Sequence, residues 1–431
     1  MRIARATTGH WTAGRLGAFL TGLLVVLLAA ACTPGRDSGT TIAWREVPTP
    51  TTAPTVAPDP TAGPEATAAA GATTVAVPLG ADDLLRIQPN ELGRIPVLMY
   101  HAFTSDPAKV DEWTVTFDTF GEHLTWLYEH DFYLTPLIDL INNEISVPPG
   151  KHPVVLTFDD STSWQFRLLP NEDGVLEPDP NTALGMIEAF AARHPDFGRT
   201  ALFAVVPTAC FHYLSEEATC EQRLAWLSNN GYEVANHTWT HENLHTVSDD
   251  QFRQEIGQTK IWIDERVRGE SNLGNVLVLP FGAWPQSDAQ ADMLYNGFVH
   301  EGQDILITGV VEVGSGPGHS PSSGNWTRMS ILRINTEERE WEKWTTQFTS
   351  GSLTFYVSDG DPATVTIPNQ LADDLVDEWD PEWASAYGME VIRYDLPEAL
   401  ADPTLGRGVL PNVGRSFRRL PPARSGWSGS R

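Results

Sequence analysis

Cationic side chains are scarce in this sequence. Its 431 residues hold 28 Lys and Arg against 56 Asp and Glu, a formal net charge of −28. An acidic surface repels phosphate, so no nucleic-acid partner is expected. Cysteine is scarcer still, at three. A zinc site wants four ligands, and a chain this poor in thiolates is a bad start for a structural one. Long apolar runs are also missing. The nearest is "LGAFLTGLLVVLLAAAC" at 16–32, short of the roughly 20 residues that a membrane span needs.

That run follows Arg2, Arg5 and Arg15 and ends in small residues, the pattern of an export signal. Its "AAAC" end resembles the lipobox of bacterial lipoproteins, with Ala29 in place of the usual leucine. The resemblance implies that Cys32 becomes lipidated and anchors an exported chain to the outer face of a membrane. Without that step the chain is secreted. The remaining Cys210 and Cys220 form an even pair, which in an oxidising compartment reads as one disulfide. Residues 33–88 are rich in Pro, Thr, Ala and Gly without apolar periodicity, and are expected to be a disordered linker. At about 3.1 Å per residue, such a spacer reaches on the order of 100 Å.

From about residue 93 short apolar runs recur: "RIPVLMYHAF", "HPVVLTFDD", "TALFAVVP", "YEVANHT" and "NVLVLPFG". Helical patterns separate them at 117–129, 182–194, 221–230, 249–267 and 287–296. Continuous apolar strands alternating with helices predict a parallel sheet covered on both faces. In α/β barrels the chemistry gathers at the C-terminal strand ends. Those ends carry His101, Asp159 with Asp160, His237, and Pro280 with Phe281. Two imidazoles and one carboxylate make three protein ligands for a cation and leave positions open for water. The second carboxylate then stays free to take a proton. Each signal has a plainer reading, since paired aspartates also make turns and caps, and an H-x-x-x-H spacing also occurs in ordinary loops.

"VVLTFDDS", "NHTWTHENL" and "LPFG", in that order, resemble successive motifs of the polysaccharide deacetylases, the NodB-homology group of carbohydrate esterase family four. "RIPVLMYHAF" resembles the opening strand of many members. The resemblance covers about 93–340 and identifies a divergent member. It implies an α/β fold, a distorted (β/α) barrel of about seven strands, and a hydrolase that removes acetyl groups from a glycan. It also implies Asp159 as general base, and Asp160, His237 and His241 as ligands of a divalent metal, with Zn2+ expected. Pro280, Phe281 and Gly282 would line the groove, and Thr238 would support the loop.

Several positions depart from the family pattern. Val278 stands where an arginine usually orients the catalytic aspartate, and Ser161 follows the aspartates in place of Gly or Asn. After the third motif neither an Asp-x-x-x-Trp motif nor the late Leu-x-His motif, source of the general acid, is found. In place of the latter, "SILRINT" resembles the last strand of a branch ending in an Arg-Ile pair. His101, His300 and His319 are candidates for the acid, His101 being best placed, while His212 and His245 read as loop histidines. Glu172, Asp173, Glu177 and Asp179 are expected to be solvated loop charges.

The expected organisation is a signal with lipobox (1–32), the linker (33–88), a deacetylase-like domain (89–340), a small β-rich appendage packed on the barrel (341–400) and a disordered tail (401–431). Within the appendage, "LTFYVSDGDPATVTIP" predicts a hairpin. Trp341, Trp344, Trp379 and Trp383 read as core or as sugar-stacking surfaces. The expected substrate is an N-acetylated amino-sugar polymer of the cell envelope or extracellular space, acted on by a monomer. Alternatives are an O-acetyl esterase on a polysaccharide and a catalytically impaired glycan-binding lipoprotein.

Overall fold

The structure is a computed structural model and describes residues 79–212, 218–314, 316–374 and 388–397. The expected signal with Cys32, nearly all of the linker, the tail from 401, and Trp379 and Trp383 lie outside the described residues. The last residues assigned to the linker carry a short helix, Ala81–Ile87.

Eight parallel strands build the central sheet: β1 (Val97–Tyr100), β2 (Phe132–Leu134), β3 (His152–Phe158), β4 (Leu202–Val205), β5 (Glu233–Asn236), β6 (Asn272–Val278), β7 (Gly309–Val311) and β8 (Ile334–Asn335). Seven run in the order β7-β6-β5-β4-β3-β1-β8, while β2 pairs with the first half of β3. The sheet curls, and one segment links its two edges. Residues 328–331 pair with β7, through Val310 N–H to the Arg328 carbonyl and Ile331 N–H to the Val310 carbonyl, both 2.8 Å. Three residues on, β8 pairs with β1 at Leu98 and Ile334. The result is the expected distorted barrel of seven strands.

Strand side chains alternate between two cores, as period-2 geometry requires. Val97, Val155, Leu202, Ala204, Ala235, Val276, Val278 and Ile331 pack together inside the barrel. Leu98, Tyr100, Leu156, Phe158, Phe203 and Val234 face outward against helices. On the strands themselves the large rings sit outside, and the interior positions hold aliphatic residues, as a small barrel's filled interior favours. Helices Phe117–Glu129, Ala183–Arg193 and Cys220–Asn229 cover this outer face, each with a threonine N-cap accepting from the backbone three residues on.

The C-terminal region differs from the predicted hairpin. Strand Thr364–Pro368 pairs in parallel with Glu390–Tyr394, not with the chain before the turn. Residues 90–94 come between the two halves. Asn90 exchanges backbone hydrogen bonds with Val357, and Glu91 N–H donates to the Thr366 carbonyl. The Glu91 carboxylate accepts from the Tyr356 hydroxyl and from the backbone of Asp359 and Thr366. A buried carboxylate with three donors is satisfied here; a direct hairpin would strand it. Trp344 is fully buried against Trp126 and Phe132, and the half-buried Trp341 packs on that core with its ring stacked on His123 at 3.6 Å.

Candidate active site

The alternation that builds the barrel also fixes what its mouth contains. Val155 and Thr157 point inward on β3, so Asp159 does too, and it is buried. Ala235 is interior on β5, so His237, two residues on, follows it inward, and Val97 and Met99 on β1 lead to His101. Ile331 is interior, so Arg333 is inward, with none of its side chain exposed. Four strand ends therefore converge on one polar centre inside an apolar tube.

Strand geometry does break after Asp159. Asp160 has φ 75° and Ser161 φ 55°, which turns the second carboxylate across the mouth, as the pairing of two adjacent acids requires. Thr238, His241 and Phe281 also adopt positive φ, at 64°, 61° and 58°. Strained backbone of this kind costs on the order of 1–3 kcal/mol per residue and persists only where its surroundings hold it. Here they do. Ser161 Oγ accepts from Val206 N–H, and the Ser161 carbonyl accepts from Phe211 N–H beside the cystine. Thr240, just before His241, gives both its N–H and its hydroxyl to Glu255, at 2.8 and 2.7 Å. Glu255 lies in a π-helical turn, Gln254–Gln258, whose Ile256 carbonyl also accepts from Asn236. The expected Cys210–Cys220 disulfide is formed, and Arg223 binds the Cys210 carbonyl.

Asp160, His237 and His241 come together. Asp160 Oδ1 is 3.3 Å from His237 Nε2 and 3.2 Å from His241 Nε2, and the three ligand atoms lie within 4.8 Å of one another. The chemistry of the donor set fits a divalent metal. Asp160 Oδ1 and His237 Nε2 are buried without a hydrogen-bond partner, a cost that a cation between them removes. His237 Nδ1 lies 2.8 Å from the Val278 carbonyl. Donating its proton there leaves the Nε2 lone pair for a ligand bond, the usual outer support of a metal-binding imidazole. Burial pushes the His237 pKa down, but the two aspartates and the Val278 carbonyl outweigh it and bring it above the ordinary value. A site that draws a proton in this way draws other positive charge.

Asp159 is held by Arg333 in a two-pronged ion pair, at 2.7 and 2.8 Å. The same guanidinium reaches Thr157 Oγ1 and the Glu312 carbonyl. Burial raises the Asp159 pKa, but Arg333, His237 and His101 together hold it well below the usual carboxylate range. Val278, where an arginine usually stands, instead packs in the barrel interior and lends its carbonyl to His237. The guanidinium thus arrives from the last strand. Arg333 is the main residue that sequence reasoning missed. Its signal was present in "SILRINT", two residues beyond the inward Ile331. Glu255 and Gln165, the latter donating to the carbonyls of both His101 and Asp159, left no comparable signal.

His101 Nε2 lies 3.7 Å from Asp159 Oδ2 and its ring rests against Trp113. Burial lowers its pKa against the pull of the two aspartates. The other candidate acids are elsewhere. His300 packs against Gly257 of the π-helical turn. His319 follows Gly318, which pairs with Ile95 at the opposite end of β1. His245 Nδ1 lies 3.1 Å from the Trp284 carbonyl. Phe281 is 66% exposed with its ring 4.6 Å from His241, while Pro280 is buried. Gly282 N–H is spent on the Leu279 carbonyl. Of the four acids read as solvated, Asp179 is corrected: it is buried and paired with Arg167, and it accepts from Asn181.

Residues 204–294 match the family model described as polysaccharide deacetylase. Among solved structures, a Streptococcus pyogenes deacetylase, PplD, in complex with acetate is similar at 20% identity over 59% of this chain and 98% of that one, with a TM-score of 0.42. IcaB from Ammonifex degensii is similar at 14% identity over 58% and 95%, with a TM-score of 0.38. A de-N-acetylase from Aggregatibacter actinomycetemcomitans is similar at 15% identity over 58% and 99%, with a TM-score of 0.39. None of the curated proteins matches.

Proposed function

We propose that this chain, a divergent relative of the polysaccharide deacetylases, is a metal-dependent hydrolase that removes acetyl groups from an N-acetylated amino-sugar polymer. The observation that carries the reading is the convergence of Asp160, His237 and His241 beside an arginine-held Asp159. The three ligands suit a divalent cation, with Zn2+ matching two imidazoles and a carboxylate best. When bound, that ion would polarise the acetyl carbonyl and activate a water molecule.

The protein's own groups divide the remaining work. Arg333 keeps Asp159 ionised and fixed, so it is ready to take the proton of an attacking water. His101 sits within 3.7 Å of that carboxylate and is the group placed to pass a proton on to the leaving amine. Phe281, whose ring lies beside His241, would offer its backbone N–H as an oxyanion donor. A catalytically impaired protein would follow from the missing arginine and the missing late histidine; Arg333, paired with Asp159, and His101, beside it, favour an active enzyme. Export, with Cys32 as lipid anchor, suits the disulfide and a substrate outside the cell, and a monomer needs nothing more to complete this site.

The test is acetate release by the zinc-loaded protein from chitooligosaccharides, peptidoglycan and acetylated xylan. The reading predicts release from an amide-linked glycan in preference to the ester-linked xylan. Release from none of them overturns it.

A further inference from the structure

The disulfide lies on the turn that joins the two loops carrying the candidate metal ligands. Strand β4 runs between β3, which leads to Asp160, and β5, which leads to His237. The turn after β4, residues 206–211, is bonded to both neighbours. On one side Val206 N–H donates to Ser161 Oγ and Phe211 N–H to the Ser161 carbonyl, at 2.9 and 2.8 Å. Ser161 directly follows Asp160. On the other side the Thr208 hydroxyl donates at 3.2 Å to the Trp239 carbonyl, midway between His237 and His241.

This turn depends on outside support. Cys210 and Phe211 both adopt left-handed backbone, with φ 38° and 58°, which non-glycine residues keep only where the surroundings impose it. Three contacts do so. The Cys210–Cys220 bond fastens the turn to the first residue of helix Cys220–Asn229, whose start is fixed by a capping box at Thr219. Arg223 of the same helix donates to the Cys210 carbonyl at 3.1 Å. The Phe211 ring is buried against Phe166 and Phe203. Of these supports only the disulfide depends on the compartment in which the chain resides.

We propose that the Cys210–Cys220 bond is a condition of tight metal binding: the turn 206–211 sets Asp160 against His237 and His241, and the centre takes up its ion only once the two thiols are joined. Without the bond the left-handed pair relaxes toward ordinary backbone, which carries Phe211 N–H off Ser161 and Thr208 off Trp239. A shift on the order of 1 Å is enough to loosen such a site. Joining the cysteines passes two electrons to a disulfide donor, which takes up the two thiol protons and leaves as two thiols. A chain in a reducing compartment therefore lacks a competent centre, and the hydrolase is completed after export.

The inference rests on the metal-dependent reading above, and its test reads zinc binding and not acetate. Zinc affinity is measured by competition with a chromophoric chelator on oxidised native protein, on native protein reduced with a phosphine, and on Cys210→Ser/Cys220→Ser, which has no thiols there to bind zinc themselves. Cobalt(II) absorption reports ligand geometry, and melts of the metal-free forms report the fold. Loss of outer support for metal ligands predicts affinity about 10–100-fold weaker in the reduced and serine proteins, with a changed cobalt spectrum. Treatment with oxidised glutathione restores the reduced native protein and leaves the serine variant as it was. Thr208→Val keeps the disulfide and removes the bond to Trp239; its affinity falls by about threefold to tenfold while its metal-free melt stays native. A bond that only stabilises the fold would lower the melt and leave zinc affinity and the cobalt spectrum unchanged, and that result overturns the inference. Should the serine variant fail to fold, Thr208→Val decides alone, and native zinc affinity there overturns it. Oxidised native protein that takes up no zinc overturns the metal reading itself.

Discussion

Replacing Arg333 with methionine removes one charge from the most buried ion pair of the site and leaves a side chain of similar length. The guanidinium has no exposure and makes two bonds to Asp159 at 2.7 and 2.8 Å. Its loss leaves a buried carboxylate uncompensated, which costs about 3–5 kcal/mol, a large share of the roughly 5–15 kcal/mol that holds a domain folded. The cost depends on pH with a definite sign. In the native protein the Asp159 pKa is depressed, so its contribution is present above the unfolded value and lost as pH falls through the folded one. In Arg333→Met, burial acts with far less opposition and moves the Asp159 pKa upward. The variant therefore falls further behind the native protein as pH rises from about 4 to 8. Urea denaturation of the metal-free protein across that range measures the gap. Arg333→Lys keeps the charge but not the fork and falls between the two. The double variant Arg333→Met/Asp159→Asn removes both charges and recovers much of the loss, because the penalty lies in the unpaired carboxylate. A single variant within about 1 kcal/mol of native at pH 7, or a double variant no better than the single, refutes the assignment.

Asp159→Asn should lower kcat by about 10²–10⁴-fold, the usual worth of a general base, while metal content by elemental analysis stays at the native level. Glu233 accepts from the backbone of Leu137 and Ile138 at 2.7 and 2.8 Å, yet burial outweighs those bonds and pushes its pKa up to about 8 from an ordinary 4.5. The folded state then binds the extra proton, so this contribution to stability is full below pH 4.5 and drains away as pH rises through about 8. In thermal melts over that window, Glu233→Gln should show a flatter dependence on pH than the native protein.

How much of this was legible in the sequence follows from which forces are local. The helix predicted at 117–129 is Phe117–Glu129, because apolar periodicity and the Thr116 cap act within a few residues. The strand ends were legible for the same reason: a continuous apolar run followed by "DD" or "NHTWTH" carries its alternation into the site. Arg333 was harder. Its role depends on a strand that closes the barrel from the far end of the domain, and on Val278 yielding the usual arginine position. The hairpin misreading has a similar cause. The turn at "SDGDP" is real in its local chemistry, with Asp359 and Asp361 accepting from nearby backbone. The strand beside it comes from residue 90, over 260 positions away, tied through Glu91. Asp179 was read as solvated because its loop is polar, but a partner twelve residues back, Arg167, draws it inward.

If Asp160, His237 and His241 share one cation, metal stoichiometry reads it without any substrate. Protein dialysed against zinc and then desalted should retain one ion per chain, and His237→Ala, His241→Ala and Asp160→Asn should each retain far less while keeping the native circular dichroism spectrum. Native zinc content in all three variants would rule out a metal held by these side chains.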